Sequence, residues 1–205
     1  MLDHPVACRA SRADERRRHL TDVARKLFTE NGFHSTGVAQ IAAASGIRVG
    51  QIYRDFSSKE DIVAAIVAED VSSFLDEEGL AAAMAAGDSS AIRDWIDRFV
   101  RFDKSDDKCR LASEIAAEAA RNERIAAIQR DIDAKLQRLL GAAFEALAPG
   151  ADRVDERAGT VSLILALGKG VMYRRLVDRD GEAALVRRVE AVIDRELAAL
   201  LSPRG

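Results

Sequence analysis

Between Pro5 and Pro149 the chain carries no proline, so nothing along that stretch locks a backbone angle or breaks a helix from within. Alanine is abundant and aromatic residues are few, which favours helix over strand throughout. The expected fold class is all-α. Apolar periodicity marks about nine helices, at residues 14–31, 38–44, 48–55, 59–78, 91–103, 108–121, 123–147, 152–178 and 181–201. Their ends carry matching chemistry. Asn31-Gly32 closes the first and Pro149-Gly150 the seventh, while Ser57 or Ser58 can cap the fourth. Glu60 and Asp61 then lie at the positive end of that helix dipole.

A length of 205 residues suits one domain or two small ones, and 48% hydrophobic with 32% charged residues is neither a disordered nor a membrane composition. No apolar run approaches the about 18 residues that a spanning helix needs. The N-terminal MLDHPVACRASRADERRRH has no apolar segment of the secretory kind, and Cys8 and Cys109 cannot build a disulfide framework. A reducing cytoplasm is the expected location. The net charge of −3 conceals an asymmetry. Residues 1–62 hold ten basic and eight acidic side chains, and the remainder 21 and 26. Within 9–26 seven basic residues face three acidic ones, most simply as a solvated helix face.

The strongest local signal lies at residues 38–55. A short helix, VAQIAAA, is followed by a tight SGI turn and a second short helix, RVGQIYRD. A turn of three or four residues between steeply crossing helices needs a residue that tolerates positive φ, which Gly46 supplies. Ile41, Ile47 and Ile52 are spaced to meet in one core, and Leu20, Val23, Ala24, Leu27 and Phe28 form a stripe that covers its other side. This is a three-helix unit of the helix-turn-helix kind.

The segments LTDVARKLFTENGFHST and IAAASGIRVGQIYRDFSSKEDI, together roughly residues 20–62, resemble the TetR family of bacterial transcription regulators. The resemblance implies a DNA-binding domain at residues 10–58, followed by a helical effector-binding and dimerisation domain at 59–205. It further implies that the second short helix enters the major groove. Tyr53, Phe56 and Lys59 match the closing Y-x-x-F-x-x-K string, which assigns phosphate contact to Tyr53 and Lys59 and core packing to Phe56. Past Ile62 the likeness is architectural.

Arg48, Val49 and Gln51 are expected to reach base edges. Arginine can pair with guanine, glutamine with adenine, and valine can touch a thymine methyl. Gly50 allows close approach to the DNA backbone, and Arg54 adds charge beside it. Two departures from the family pattern stand out. Gly37 replaces a usual hydroxyl residue, leaving Thr36 to cap the helix and touch phosphate. Asp55 replaces a usual histidine or aromatic, and needs Arg54 or Lys59 to neutralise it near phosphates.

In the C-terminal part, Trp95, Phe99 and Phe102 fall on one helical face. Phe74, Leu111, Ile115, Phe144, Leu165, Met172 and Tyr173 can enclose a cavity with them, with Glu118 as a polar anchor. Ordinary core packing explains the stripe equally well. The last two helices are broadly apolar and form the expected homodimer surface, with Ala184, Leu185, Val189, Val192, Ile193, Leu197, Leu200 and Leu201 on the final one. Catalysis has little support. No HExxH, CxxC, GxSxG or phosphate-loop pattern occurs, Glu114 and Glu118 read as a solvated pair, and no cofactor or metal is expected.

Three readings stand. In the first the chain is a repressor released from a pseudo-palindromic, double-stranded DNA operator by a small, largely apolar or amphipathic effector, with no membrane partner. A second has the DNA-binding regulator controlled by a protein partner, and a third places an enzyme in the C-terminal cavity. The first is preferred and no enzymatic activity is expected.

Overall fold

The computed structural model describes residues 12–101, 105–178 and 180–202, except the side chains of Val100 and Ala151. Among the described residues there are ten α-helices and no strand: α1 (Arg12–Asn31), α2 (Val38–Ser45), α3 (Val49–Asp55), α4 (Lys59–Leu75), α5 (Glu77–Ala86), α6 (Ser89–Arg101), α7 (Asp106–Ala119), α8 (Glu123–Leu147), α9 (Val154–Val177) and α10 (Glu182–Leu201). The all-α expectation holds, but the helix expected over 59–78 breaks at Asp76, and α5 is formed by its last residues with the segment that follows, which periodicity left open. The chain divides into two compact units, Met1–Asp70 and Val71–Gly205, with the division inside α4.

In the first unit, the α1 stripe of Leu20, Ala24 and Phe28 is fully buried, as are Ile41, Ile52, Ile62 and Val63. Burying a side chain of this size stabilises the fold by about 1.5 to 3 kcal/mol, so these few residues account for the compactness of so small a unit. Phe33 stacks on Phe28 with ring centroids 5.4 Å apart. Gly32 at φ 80° ends α1, and Ser58 Oγ accepts from Asp61 N at 3.2 Å at the start of α4. Arg25 bonds Asp70 and Glu69, tying the middle of α1 to α4.

The second unit packs Ile92, Trp95, Ile96 and Phe99 of α6 against Leu140 and Phe144 of α8, Ile164 and Leu165 of α9 and Ile193 and Leu197 of α10. Gly168 fits the tightest point: a Cβ there would stand 2.9 Å from Phe99 O, so only glycine lets α9 approach α6 this closely. α5 starts at Asp76, which adopts a left-handed conformation and accepts from Gly79 N at 3.2 Å, and it ends at Gly87. Its Leu80 and Ala83 join the core. The buried Arg157 closes the end of α8 by donating to Ala148 O at 2.9 Å and Gly150 O at 2.8 Å while pairing with Glu145.

The apolar residues of α10 divide between its two sides, Ala184 and Leu201 being exposed and Leu185 and Val192 half-buried. Val189, Ile193, Leu197 and Leu200 are buried in the core of their own unit and are not presented outward. The outward side of α9 carries small residues instead, Ala158, Ser162, Ala166 and Gly170, followed by Tyr173 and Val177, each 62% exposed. At 100° per residue these occupy one face, opposite the buried Val161, Ile164, Leu165 and Gly168.

Candidate nucleic-acid interface

α2 and α3 meet at Gly46, whose φ of 70° lies in the left-handed region. α3 is seated by Ile52, fully buried, and by Phe56 just past its end. That seat turns the opposite face to solvent. Arg48, Val49, Gly50, Tyr53 and Arg54 are all exposed, with Val49 at 40% and Tyr53 at 53%. Gly50 has open space where a Cβ would stand, so nothing in its own unit requires a glycine there. Arg48 is the N-cap rather than the first helical residue, and its extended backbone places it at the leading edge of the face. Two cations, a tyrosyl hydroxyl and an apolar methyl pair are thus presented to solvent with the half-buried Gln51 amide beside them, the donor-rich set that reads base edges and phosphates.

The far end of α3 is closed by α1. Arg16 makes a bidentate pair with Asp55, Nε to Oδ2 at 2.6 Å and Nη2 to Oδ1 at 2.8 Å. Arg17 donates to the Asp55 carbonyl and lies over the Phe56 ring, 4.2 Å from its centroid. Hydrogen bonding to Arg16 holds the Asp55 carboxyl below the usual carboxylate range; Gln51 and Arg17 pull the same way, against the effect of burial. His19 Nε2 lies 3.1 Å from Ser45 O, at the end of α2 where carbonyls lack helical partners. Arg16 and Arg17 belong to the basic run expected to form a solvated face. Their partners are distant in sequence, and the one available clue was the basic run itself beside an unusual Asp55.

Three expectations about this site change. Asp55 is neutralised by Arg16, not by Arg54 or Lys59. Thr36 is buried and its hydroxyl donates inward to Gly32 O at 2.8 Å and Leu27 O at 3.3 Å, so it neither caps α2 nor faces phosphate. The α2 N-cap is Gly37, whose backbone N–H donates to Gln40 Oε1 at 2.6 Å. Lys59 turns its ammonium onto the loop before α2, donating to Phe33 O at 2.7 Å and Thr36 O at 3.1 Å and covering the Phe33 ring at 3.9 Å. It braces that loop.

The residues expected around an effector divide. Trp95, Phe99, Phe144 and Leu165 belong to one packed cluster with Phe74 against it. The Trp95 and Phe99 centroids are 4.9 Å apart, those of Phe74 and Phe99 5.2 Å, and the Trp95 indole donates to Leu75 O. Leu111 and Ile115 are buried on α7. Glu118 is buried there too, its carboxylate accepting from Arg121 Nε at 3.0 Å. Met172 is half-buried, Tyr173 stands outside on α9 and not in a shared interior, and Phe102 lies outside the described residues. An open groove of about 480 Å³ is lined by other residues, among them Gln137, Gly141, Glu145, Val154, Arg157 and Ser162. Among the described residues no group of three His, Cys, Asp or Glu side chains is placed to hold a metal, and no helix is long and apolar enough to cross a membrane.

A model of bacterial regulatory proteins of the tetR family matches residues 20–66, and one of the C-terminal part of BetI-type transcriptional repressors matches residues 89–202. The HTH-type transcriptional regulator AcrR of Shigella flexneri is 43% identical over 54 residues, 26% of this chain and 25% of its own length. The matched stretch spans between 25% and 30% of the first of these curated relatives, all regulators of transcription. Of the solved structures, GusR of Salmonella enterica superposes with a TM-score of 0.70 at 25% identity, covering 94% of this chain and 98% of that one. A SmeT–triclosan complex gives 0.71 at 18% identity, covering 93% and 96%, a likeness of fold alone.

Proposed function

This chain belongs to the TetR family and is a DNA-binding transcriptional regulator rather than an enzyme, and from that premise we propose that it is a homodimeric repressor whose α3 reads a pseudo-palindromic operator. The observation that carries the reading is the exposed face of Arg48, Val49, Gly50, Tyr53 and Arg54 over the buried Ile52 and Phe56. Repression is supported by the match of the C-terminal half to BetI-type repressors. The outward small-residue face of α9, extended by Tyr173 and Val177, supports pairing of two copies across a two-fold axis. The two base-reading helices of such a dimer sit about one DNA turn apart, hence an operator with two-fold symmetry.

Release from DNA follows when a small apolar or amphipathic molecule lodges among α4, α6, α8 and α9, around Phe74, Trp95 and Phe99; the triclosan held by SmeT is a molecule of this kind. The ligand acts only through unequal affinity for the DNA-competent and released states. A second reading, control by a protein partner in the cytoplasm, is favoured by one observation: these aromatics pack on one another as core does. Footprinting of the purified chain on its own promoter region, with and without triclosan, tests both. Protection of a pseudo-palindrome that disappears with the small molecule supports the first reading. Protection unaffected by any of a panel of apolar compounds supports the second, and no protection rejects both.

A further inference from the structure

Gln51 lies in the first turn of α3 and Asp55 one turn later, so amide and carboxylate are neighbours on one side of the helix. Gln51 Nε2 donates to Asp55 Oδ2 at 3.4 Å. A carboxylate only accepts hydrogen bonds, so the amide must turn its NH2 toward Asp55 and its Oε1 away. Nε2 carries two N–H bonds, and the one anti to Oε1 can serve Asp55 without engaging the edge where the second N–H lies beside Oε1. The other N–H and Oε1 remain side by side, the donor and acceptor pair that matches N7 and N6 of adenine. The carboxylate is itself immobilised by the two-pronged bond from Arg16 on α1, at 2.6 Å and 2.8 Å.

We propose that Arg16 and Asp55 are positioning residues that hold the Gln51 amide in its adenine-reading orientation, which makes them determinants of operator sequence as well as of stability. The inference rests on the assignment of α3 as the base-reading helix. The lowered titration of the Asp55 carboxyl fits this role, because the acceptor stays ionised throughout the neutral range. Pre-orientation removes the freedom that a long, flexible glutamine would otherwise lose on binding, and it excludes the flipped amide that would suit another base.

Duplexes enriched from a randomised double-stranded DNA library by the wild-type full chain supply the probe. Wild type, Gln51→Ala, Asp55→Asn, Asp55→Glu, Arg16→Gln, Arg16→Lys and the double variant Asp55→Asn with Gln51→Ala are titrated against the enriched duplex and each of its single-base variants. Asp55→Asn and Arg16→Gln lose about tenfold discrimination at the same A·T pair that Gln51→Ala identifies, the scale of one base contact. Asp55→Asn adds nothing in the Gln51→Ala background, and Arg16→Lys restores part of the loss. Asp55→Glu keeps an anion for Arg16 but moves the carboxylate away from the amide, so it shows the same loss and carries the test if Asp55→Asn does not fold. Weakening spread evenly over all duplexes, or effects of Asp55→Asn and Gln51→Ala that simply add, overturns the proposal. A wild-type chain that enriches no sequence overturns the base-reading premise and the proposal with it, whereas enrichment followed by wild-type discrimination in the Asp55 variants overturns the proposal alone.

Discussion

A carboxylate in the last turn of a helix that approaches DNA is repelled by phosphates and by the carbonyl end of its own helix. Asp55 persists there because Arg16 closes on it, and the pairing makes it a stability element with a definite pH signature. Its folded pKa lies below the unfolded value of about 3.9, so the pair stabilises the fold above that pH and the contribution is lost as pH falls through the folded pKa. Urea melts should therefore show Asp55→Asn less stable than wild type by a constant margin at neutral pH, with the gap closing below about pH 4. Asp97 is the opposite case. Burial raises its carboxyl pKa, with Asp194, Glu190 and Asp94 acting in the same sense and Arg101 against it. Wild-type stability then falls as pH rises through the raised pKa, so Asp97→Asn should melt higher than wild type at pH 7 and lose that advantage in acid. For Arg48→Ala, a loss of about 1 to 3 kcal/mol confined to one base position is expected in operator titrations. Lys59→Ala should behave differently. Its ammonium braces the loop before α2, so the variant should melt lower and bind every duplex more weakly, leaving the salt dependence of binding unchanged.

At the scale of elements, the sequence announced what local chemistry decides. Gly46 had to take positive φ and does, and Ser58 caps α4 as a serine before two acidic residues should. Since nothing surrounds its absent Cβ, Gly46→Ala should cost about 1 to 2 kcal/mol in thermal or urea melts from backbone strain alone. Gly168→Ala meets a carbonyl and should destabilise through packing instead, separating the second unit's melt from the first. What could not be read was tertiary. α5 begins on a left-handed Asp76 and holds Gly79 in its first turn, both poor helix signals, and it exists because Leu80 and Ala83 find the core of the second unit. Arg16 and Arg17 looked like part of a solvated face because one helix's pattern never names the far end of an ion pair. Thr36 misled for a related reason: a hydroxyl beside a helix start suggests a cap, and only the fold shows it turned to the end of α1. The aromatic stripe was legible as a stripe, while its packing around Phe99 was not.

For the whole molecule, α9 serves two faces at once. Its inner side builds the core of the second unit and its outer side leaves Ala158, Ser162, Ala166 and Gly170 exposed, on the face where the proposed dimer would pair. Ala166→Arg should yield a folded monomer by light scattering with unchanged helical circular dichroism, and should cost most of the operator affinity, because one head alone reads half a site. A large side chain at that position that leaves the dimer intact would move the partner surface elsewhere. The Gly168 contact gives this arrangement a mechanical meaning. Where Phe99 O meets α9 there is no side chain to flex, so the two backbones bear directly on each other as in a hard joint. In the proposed dimer, a molecule that wedges α6 aside would shift α9 by nearly the same amount, and α9 would carry that shift to the twin subunit. The first occupant would thereby deform the vacant half before a second arrives, and the effector isotherm of the proposed dimer should depart from a simple hyperbola by as much as that joint is stiff.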